Sequence, residues 1–293
     1  MQRASSQFGG YRQHDSHEFL RVLIDQLCED FKDVALCREN KARQATDMEL
    51  ENMPLSLKAD YWWKRHLAEN SSFITDTFCG QLVSTIQCSV CKTNSYCFDP
   101  FYDVSLPFPE GNNQLGGHQQ NRRKGSRPSI KPSWLSMNNN NTGDVKSCTL
   151  DDCLREFTKD EVLDGENKIE CSSCRVKRTM VKRLQVFRFP QVLVLHLKRF
   201  GNSRKKIRTA VQFPITGFDA SPLAYQNDTR PEYDLFAVVD HSGRMNFGHY
   251  IASCIDPQSN EWQQFNDEEV EGIETSDLNE ANAYMLFYKI RES

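Results

Sequence analysis

The chain has 293 residues, 38% of them hydrophobic, and a formal net charge of -4 at pH 7. That length supports one large domain or two small ones with a real core, and the acidic balance argues against nucleic acid as the main partner. Eleven cysteines, with no apolar signal region and no long uninterrupted apolar run, predict a soluble protein of a reducing compartment, cytoplasm or nucleus, and give no sign of a membrane span.

The first informative stretch is Gly9-Gly10-Tyr11-Arg12-Gln13-His14-Asp15-Ser16-His17-Glu18-Phe19-Leu20. It predicts a helix, with Asp15 as N-cap and Glu18 three residues on as in a capping box. Phe19, Leu20, Leu23, Ile24, Leu27, Phe31 and Val34 recur at helical spacing on one face. Capping and binding are both open to Asp15 and Glu18. From 40 to 70 the text is charged and mixed, with a shorter helix expected around Tyr61 to His66, and Trp62 and Trp63 are read as packing residues.

From Phe78 the period changes to alternation: Leu82, Ser84, Ile86 and Cys88 predict a strand that runs into Cys88-Ser89-Val90-Cys91. Ser95–Phe98 and Phe101–Leu106 read as extended chain, ended by Pro107 and Pro109. Residues 110–148 differ in kind, with Asn and Gln runs, glycines and the basic Arg122-Arg123-Lys124 beside Ser126. Too few apolar residues stand there to offset the entropy of ordering, so a disordered insertion is expected, its basic cluster read as solvated rather than as a kinase or localisation signal.

Thr149–Phe157 predicts a short helix, and Cys171-Ser172-Ser173-Cys174 follows it. Two Cys-x-x-Cys pairs at the ends of extended segments are what a tetrahedral zinc takes from four thiolates, so Cys88, Cys91, Cys171 and Cys174 are the expected metal ligands. Four protein ligands leave no open position, and the zinc would be structural. Gln191–Phe200 reads as a buried central strand with His196 as a core histidine, and Arg204–Arg208 as a solvated basic turn. Tyr233–His241, Tyr250–Cys254 and Tyr284–Tyr288 complete an antiparallel set, with Gly243 in a turn leading back to His249.

His249, in Asn246-Phe247-Gly248-His249-Tyr250-Ile251-Ala252, is a candidate general base. A neutral imidazole held by a side-chain acceptor can take a proton from a nucleophile and return it to a leaving group. Asn266 or Asp267 is the candidate acceptor, and Gly248 would let an extended substrate backbone pass close to the ring. A lone histidine in an alternating strand is more often a structural residue, and this segment alone does not decide between the two.

Taken together, these stretches resemble the ubiquitin-specific proteases, papain-like cysteine enzymes that cleave after the C-terminal glycine of ubiquitin. Gly10 to Leu20 is similar to the family's Gln-Gln-Asp-Ala-x-Glu-Phe-Leu box; Cys88/Cys91 and Cys171/Cys174 to its zinc finger; Val192 to Phe200 to its Val-Leu-x-Leu-His-Leu-Lys-Arg-Phe strand; Tyr233 to Ala252 to its histidine box. Trp262 to Asp267 and Ala283 to Tyr288 are similar to its closing segments. The resemblance implies an α+β fold of thumb, palm and fingers, with a helical thumb over 1–77, fingers over 78–109 and 149–188, and a palm sheet over 189–293. It implies a Cys, His and Asn or Asp triad, with His249 as general base and Asn266, seventeen positions on, or its neighbour Asp267 as orienter. Asp15 and Glu18 fall on acidic positions resembling those that meet ubiquitin's arginine-containing tail, and Gly248 and Tyr250 on the substrate side of the histidine box. Implied partners are ubiquitin and ubiquitinated proteins.

The family's nucleophile sits in an Asn-x-Gly-Asn-Thr-Cys-type box that these residues do not contain. The expectation is therefore a domain truncated at its N-terminus and inactive alone. Two other readings stay open: a short form that binds ubiquitin without cutting it, and a zinc-stabilised module that binds nucleic acid or protein.

Overall fold

A computed structural model describes residues 8, 13–41, 43–109, 147–201, 206–226, 230–244 and 247–291. Most of the expected insertion lies outside the described residues, as do Gly10 to Arg12, Arg204, Lys205 and Asn246.

The first part is helical. Helix α1 (Ser16–Asp30) starts where Asp15 Oδ1 accepts the backbone N–H of His17 at 2.7 Å and of Glu18 at 3.3 Å. It stops at Phe31, and Asp33 caps a second helix, α2 (Val34–Glu39). The expected single stripe is thereby divided: Ile24 is buried, whereas Phe31 and Val34 stay exposed. Cys28, off that stripe, is instead buried against Thr75 and Tyr102. α3 (Asp47–Asn52) opens with a Thr46/Glu49 capping box. α4 (Leu55–Asn70) is far longer than its central aromatic run suggested, because Leu55 and Ala59 reach Val83 and Phe98 of the neighbouring sheet. α5 (Phe73–Phe78), capped by Ser72, leads into the strands.

The remaining elements in chain order are β1 (Gly80–Cys88), β2 (Asn94–Phe101), β3 (Val104–Leu106), β4 (Ser147–Thr149), α6 (Leu150–Phe157), β5 (Glu161–Leu163), β6 (Ile169–Glu170), β7 (Lys177–Arg178), β8 (Met180–Arg188), β9 (Val192–Leu197), β10 (Ala210–Gln212), β11 (Phe218–Asp219), β12 (Glu232–Arg244), β13 (Phe247–Ile255), β14 (Trp262–Asn266), β15 (Glu269–Ile273) and β16 (Ala283–Ile290). They form two principal sheets. An antiparallel ribbon has the order β2-β1-β8-β5, and its far end carries the two Cys-x-x-Cys turns. A larger sheet has the order β15-β14-β13-β12-β16-β9-β3, with β11 paired to β12, antiparallel except for β3 beside β9.

Every residue of β9 is buried, as its unbroken apolar run requires of a central strand. Leu193, Leu195 and Leu197 pack with Leu106, Leu154 and Leu286 into the main core, each buried leucine contributing roughly 1.5–3 kcal/mol before entropy is subtracted. Just past β9, Arg199 is wholly buried; its guanidinium donates to the carbonyls of Ala283, Ile207, Thr209 and Glu280 and lies over the Phe108 ring. Lys206 corrects the reading of a solvated basic turn. It is buried, and its ammonium donates to the carbonyl of His241 and to Asn282 Oδ1.

Candidate active site and four-thiol cluster

β12 and β13 form a hairpin in which Gly243 faces Gly248 and Ser242 faces His249. The crossing is tight. Gly243 has φ of 108°, and a Cβ there would meet Gly248 Cα at 2.8 Å. A Cβ on Gly248 would overlap the imidazole of His241, so Gly248 has a packing reason to be glycine that the sequence did not reveal. Burial pushes His241 down to about 4, so it sits there as a neutral ring.

β13 then presents His249 on an exposed face beside β14. The imidazole Nε2 donates to Asn266 Oδ1 at 2.6 Å, and this bond fixes the tautomer with Nδ1 free as an acceptor. Asp267 takes the first position of the β14–β15 turn, exposed and with φ of 53°, a left-handed conformation that Asp tolerates better than most residues. The ring is paired with Asn266, not Asp267.

Helix α1 reaches this site at its N-terminus. Asp15 caps the helix with Oδ1 and accepts the Tyr284 hydroxyl on Oδ2 at 2.7 Å, so its carboxylate is engaged on both oxygens. Glu18, one turn in, is exposed. Tyr250 is half-buried among His241 and Tyr284, and burial raises its hydroxyl pKa. Deeper along α1, His17 stacks on His196 at 3.9 Å between ring centroids and hydrogen-bonds Asp103 Oδ2 at 2.8 Å. Burial raises the Asp103 carboxyl, but the His17 hydrogen bond and the neighbouring cationic groups, Arg21 among them, together outweigh it and the net shift is downward. His196 is pushed by burial down to about 3 and shares a hydrogen bond with Ser105.

Gln13, in the Gly9 to Leu20 stretch, carries no functional signal in the sequence. Its side-chain amide donates to Gly248 O at 2.9 Å and accepts from Gly248 N at 3.2 Å, across 235 residues of sequence. No local pattern could signal that contact.

At the other end of the ribbon, Cys88, Cys91, Cys171 and Cys174 place their sulfurs within 4.8 Å of one another, Cys91 and Cys171 at 3.5 Å. A tetrahedral Zn–S distance of about 2.3 Å sets sulfurs about 3.8 Å apart, so the group fits that ion's ligand set. Cys91 shares a hydrogen bond with Thr93 Oγ1, and that hydroxyl pushes the thiol down to about 6. Cys174 of the same group is pushed the other way, up to about 11, chiefly by its hydrogen bond with Cys91, so Cys91 is the thiol of the pair that sheds its proton first.

A family model described as "Ubiquitin carboxyl-terminal hydrolase" matches residues 1–288, and the chain belongs to that family. It is 37% identical to "Ubiquitin carboxyl-terminal hydrolase 2" of Rattus norvegicus over 294 residues, 99% of this chain and 41% of that protein. The Gallus gallus protein of the same name is also 37% identical, over 99% of this chain and 72% of its own length. "Ubiquitin carboxyl-terminal hydrolase 21" of Homo sapiens is 31% identical over 97% of this chain and 47% of that protein. Among solved structures the fold is similar to that of the SAGA DUB module of Ubp8, Sgf11, Sus1 and Sgf73 bound to monoubiquitin, with a TM-score of 0.67 and 25% identity over 99% of this chain and 51% of that one. The chain thus spans less than two thirds of the length of most of these relatives.

Proposed function

We propose that this chain carries the histidine side of a ubiquitin-specific thiol hydrolase site. Ubiquitin's C-terminal tail runs past Asp15 and Glu18, between Gly248 and Tyr250 of β13, toward His249. The observation that carries this reading is the hydrogen bond from His249 Nε2 to Asn266 Oδ1 at 2.6 Å in a chain of this family. Asn266 holds the ring; Nδ1 takes the proton of a cysteine thiol as its sulfur attacks the carbonyl after ubiquitin's last glycine, and the imidazolium returns that proton to the departing lysine amine. Water, activated by the same ring, then cleaves the thioester. Asp267 adds only the field of its exposed charge. Exposed Glu18 offers a carboxylate to arginine in the tail, a charge-assisted pairing.

The thiol is proposed to come from a cysteine other than the eleven in these residues. Cys28 is held by Thr75 and Tyr102, Cys79 by His66, Cys97 by Asp99, and Cys148 by Cys153. Cys37 is buried on α2. Cys254 lies five residues along β13 from His249, on the opposite face of the strand. The remaining four cluster at the far end of the ribbon, where we assign them a structural zinc that cross-links its two turns. Ubiquitin binding without cutting is therefore the reading for residues 1–293 alone. A chain with eleven cysteines, four of them assigned to zinc, is proposed to work in a reducing compartment, cytoplasm or nucleus.

The test is reaction of the purified, zinc-loaded chain with ubiquitin bearing a C-terminal thiol-reactive electrophile, read by intact mass beside a His249→Ala control. No adduct is expected. An adduct that disappears in the control would mean that one of these cysteines reaches the imidazole, and the assignment of the nucleophile elsewhere would be wrong.

A further inference from the structure

β13 outruns its neighbour. Its ladder to β14 begins at Ala252, opposite Phe265, so the residues from Phe247 to Ile251, His249 among them, have a strand on the β12 side but no β14 backbone on the other. An unpaired strand edge at a hairpin end frays readily, because each backbone group there can exchange its partner for water. His249 is exposed, so burial does not hold it either.

The side-chain amide of Gln13 occupies that open edge. A carboxamide carries one carbonyl and one N–H pair in the geometry of a peptide group, and here it donates to Gly248 O at 2.9 Å and accepts from Gly248 N at 3.2 Å. It thus makes the two bonds that a neighbouring strand would have made. Gln13 is itself anchored two residues on, where Asp15 caps α1 and accepts the hydroxyl of Tyr284 from β16. On its other face Gly248 lies against His241.

We infer that Gln13 is a positioning residue for His249. By pinning the peptide groups of Gly248 it holds the imidazole on Asn266, and it does so through a neutral group whose grip does not change with pH. The inference rests on the reading of His249 as the proton carrier. It is tested on the ring itself, so that the two can fail separately.

The experiment is NMR on the isotope-labelled 293-residue chain, following the Gly248 amide and the His249 ring nitrogens in wild type, Gln13→Ala and Gln13→Glu. In Gln13→Ala the Gly248 amide is expected to exchange at least about tenfold faster, and the ring to lose its single Nε2–H tautomer, while β9 and β16 keep wild-type protection. In Gln13→Glu an ionised carboxylate still accepts from Gly248 N but repels Gly248 O. Its protonated form can donate, so slow Gly248 amide exchange should return below about pH 5 in this variant and not in Gln13→Ala. Unchanged Gly248 exchange and an unchanged tautomer in Gln13→Ala would overturn the inference, as would a Gln13→Glu variant that does not differ from Gln13→Ala at any pH. A wild-type chain that leaves the tail of ubiquitin unbound while Gln13→Ala still releases the ring would sink the hydrolase reading and leave the clamp standing.

Discussion

At the scale of single residues, the side chains behind the histidine hairpin are as telling as those on its surface. Asp240, on β12 beneath the hairpin, is buried with Oδ1 lacking a hydrogen-bond partner among the described residues. Burial pushes its carboxyl from an ordinary 3.8 up to about 7, against the pull of Arg199 and Lys206. The sign of the effect on stability follows. Between about pH 4 and pH 7 the folded state holds a proton that the unfolded state has released, so stability falls as pH rises through that window. Asp240→Asn, a neutral stand-in for the protonated acid, is expected to match wild type near pH 4 and to exceed it at pH 8 by on the order of a few kcal/mol in urea unfolding. A difference that does not vary with pH would show that Asp240 is ionised in the fold. None of this burial could be read from sequence, since Lys206 stands in a basic run that resembles a solvated turn and Asp240 in a strand whose inner face is known only once its neighbours are. His249 with Asn266 or Asp267 is legible in sequence because the histidine box and the closing Trp262 to Asp267 segment resemble those of the ubiquitin-specific proteases at that spacing. Sequence could not choose between Asn266 and Asp267, because a one-residue offset at a turn decides which side chain points to the ring.

At the scale of elements, the ribbon of β2, β1, β8 and β5 contributes little to the main core at its far end. There the buried apolar set is small, Met180 with Cys88 and Cys171. A metal holding four sulfurs would supply the cross-link that burial does not. Stripping zinc with a strong chelator is expected to abolish amide protection around residues 86–92 and 169–180 while leaving β9 and β16 protected, and Cys171→Ser to mimic it without chelator. Equal protection with and without metal would contradict a structural zinc. Thiolates must be deprotonated to bind, so the affinity should fall as pH is lowered. This cluster was legible because Cys-x-x-Cys spacing is itself the geometry. The helices were less so. α1 carries no proline or glycine at its end, and its apolar periodicity runs on through Phe31 to Val34; the break comes from Asp33, whose side chain accepts the backbone N–H of Ala35 and Leu36 and starts a new helix. A cap inside a continuing stripe is invisible to periodicity.

At the scale of the whole molecule, the N-terminus of α1 is fastened to the large sheet at three points: Gln13 on Gly248, Asp15 on Tyr284, and His17 between Asp103 and His196. One short stretch of sequence therefore joins the helical part, the central strands and the histidine hairpin. In the proposed function the N-terminus of α1 and the histidine hairpin receive the tail of ubiquitin. This is tested most directly by titrating isotope-labelled ubiquitin with the purified 293-residue chain and following ubiquitin's amide signals. The C-terminal glycines and the neighbouring arginines are expected to shift or broaden with wild type, and to do so at least several-fold less with Glu18→Arg, a reversal at an exposed charge-assisted contact. Ubiquitin whose tail signals stay put, or respond equally to the Glu18→Arg chain, would contradict it.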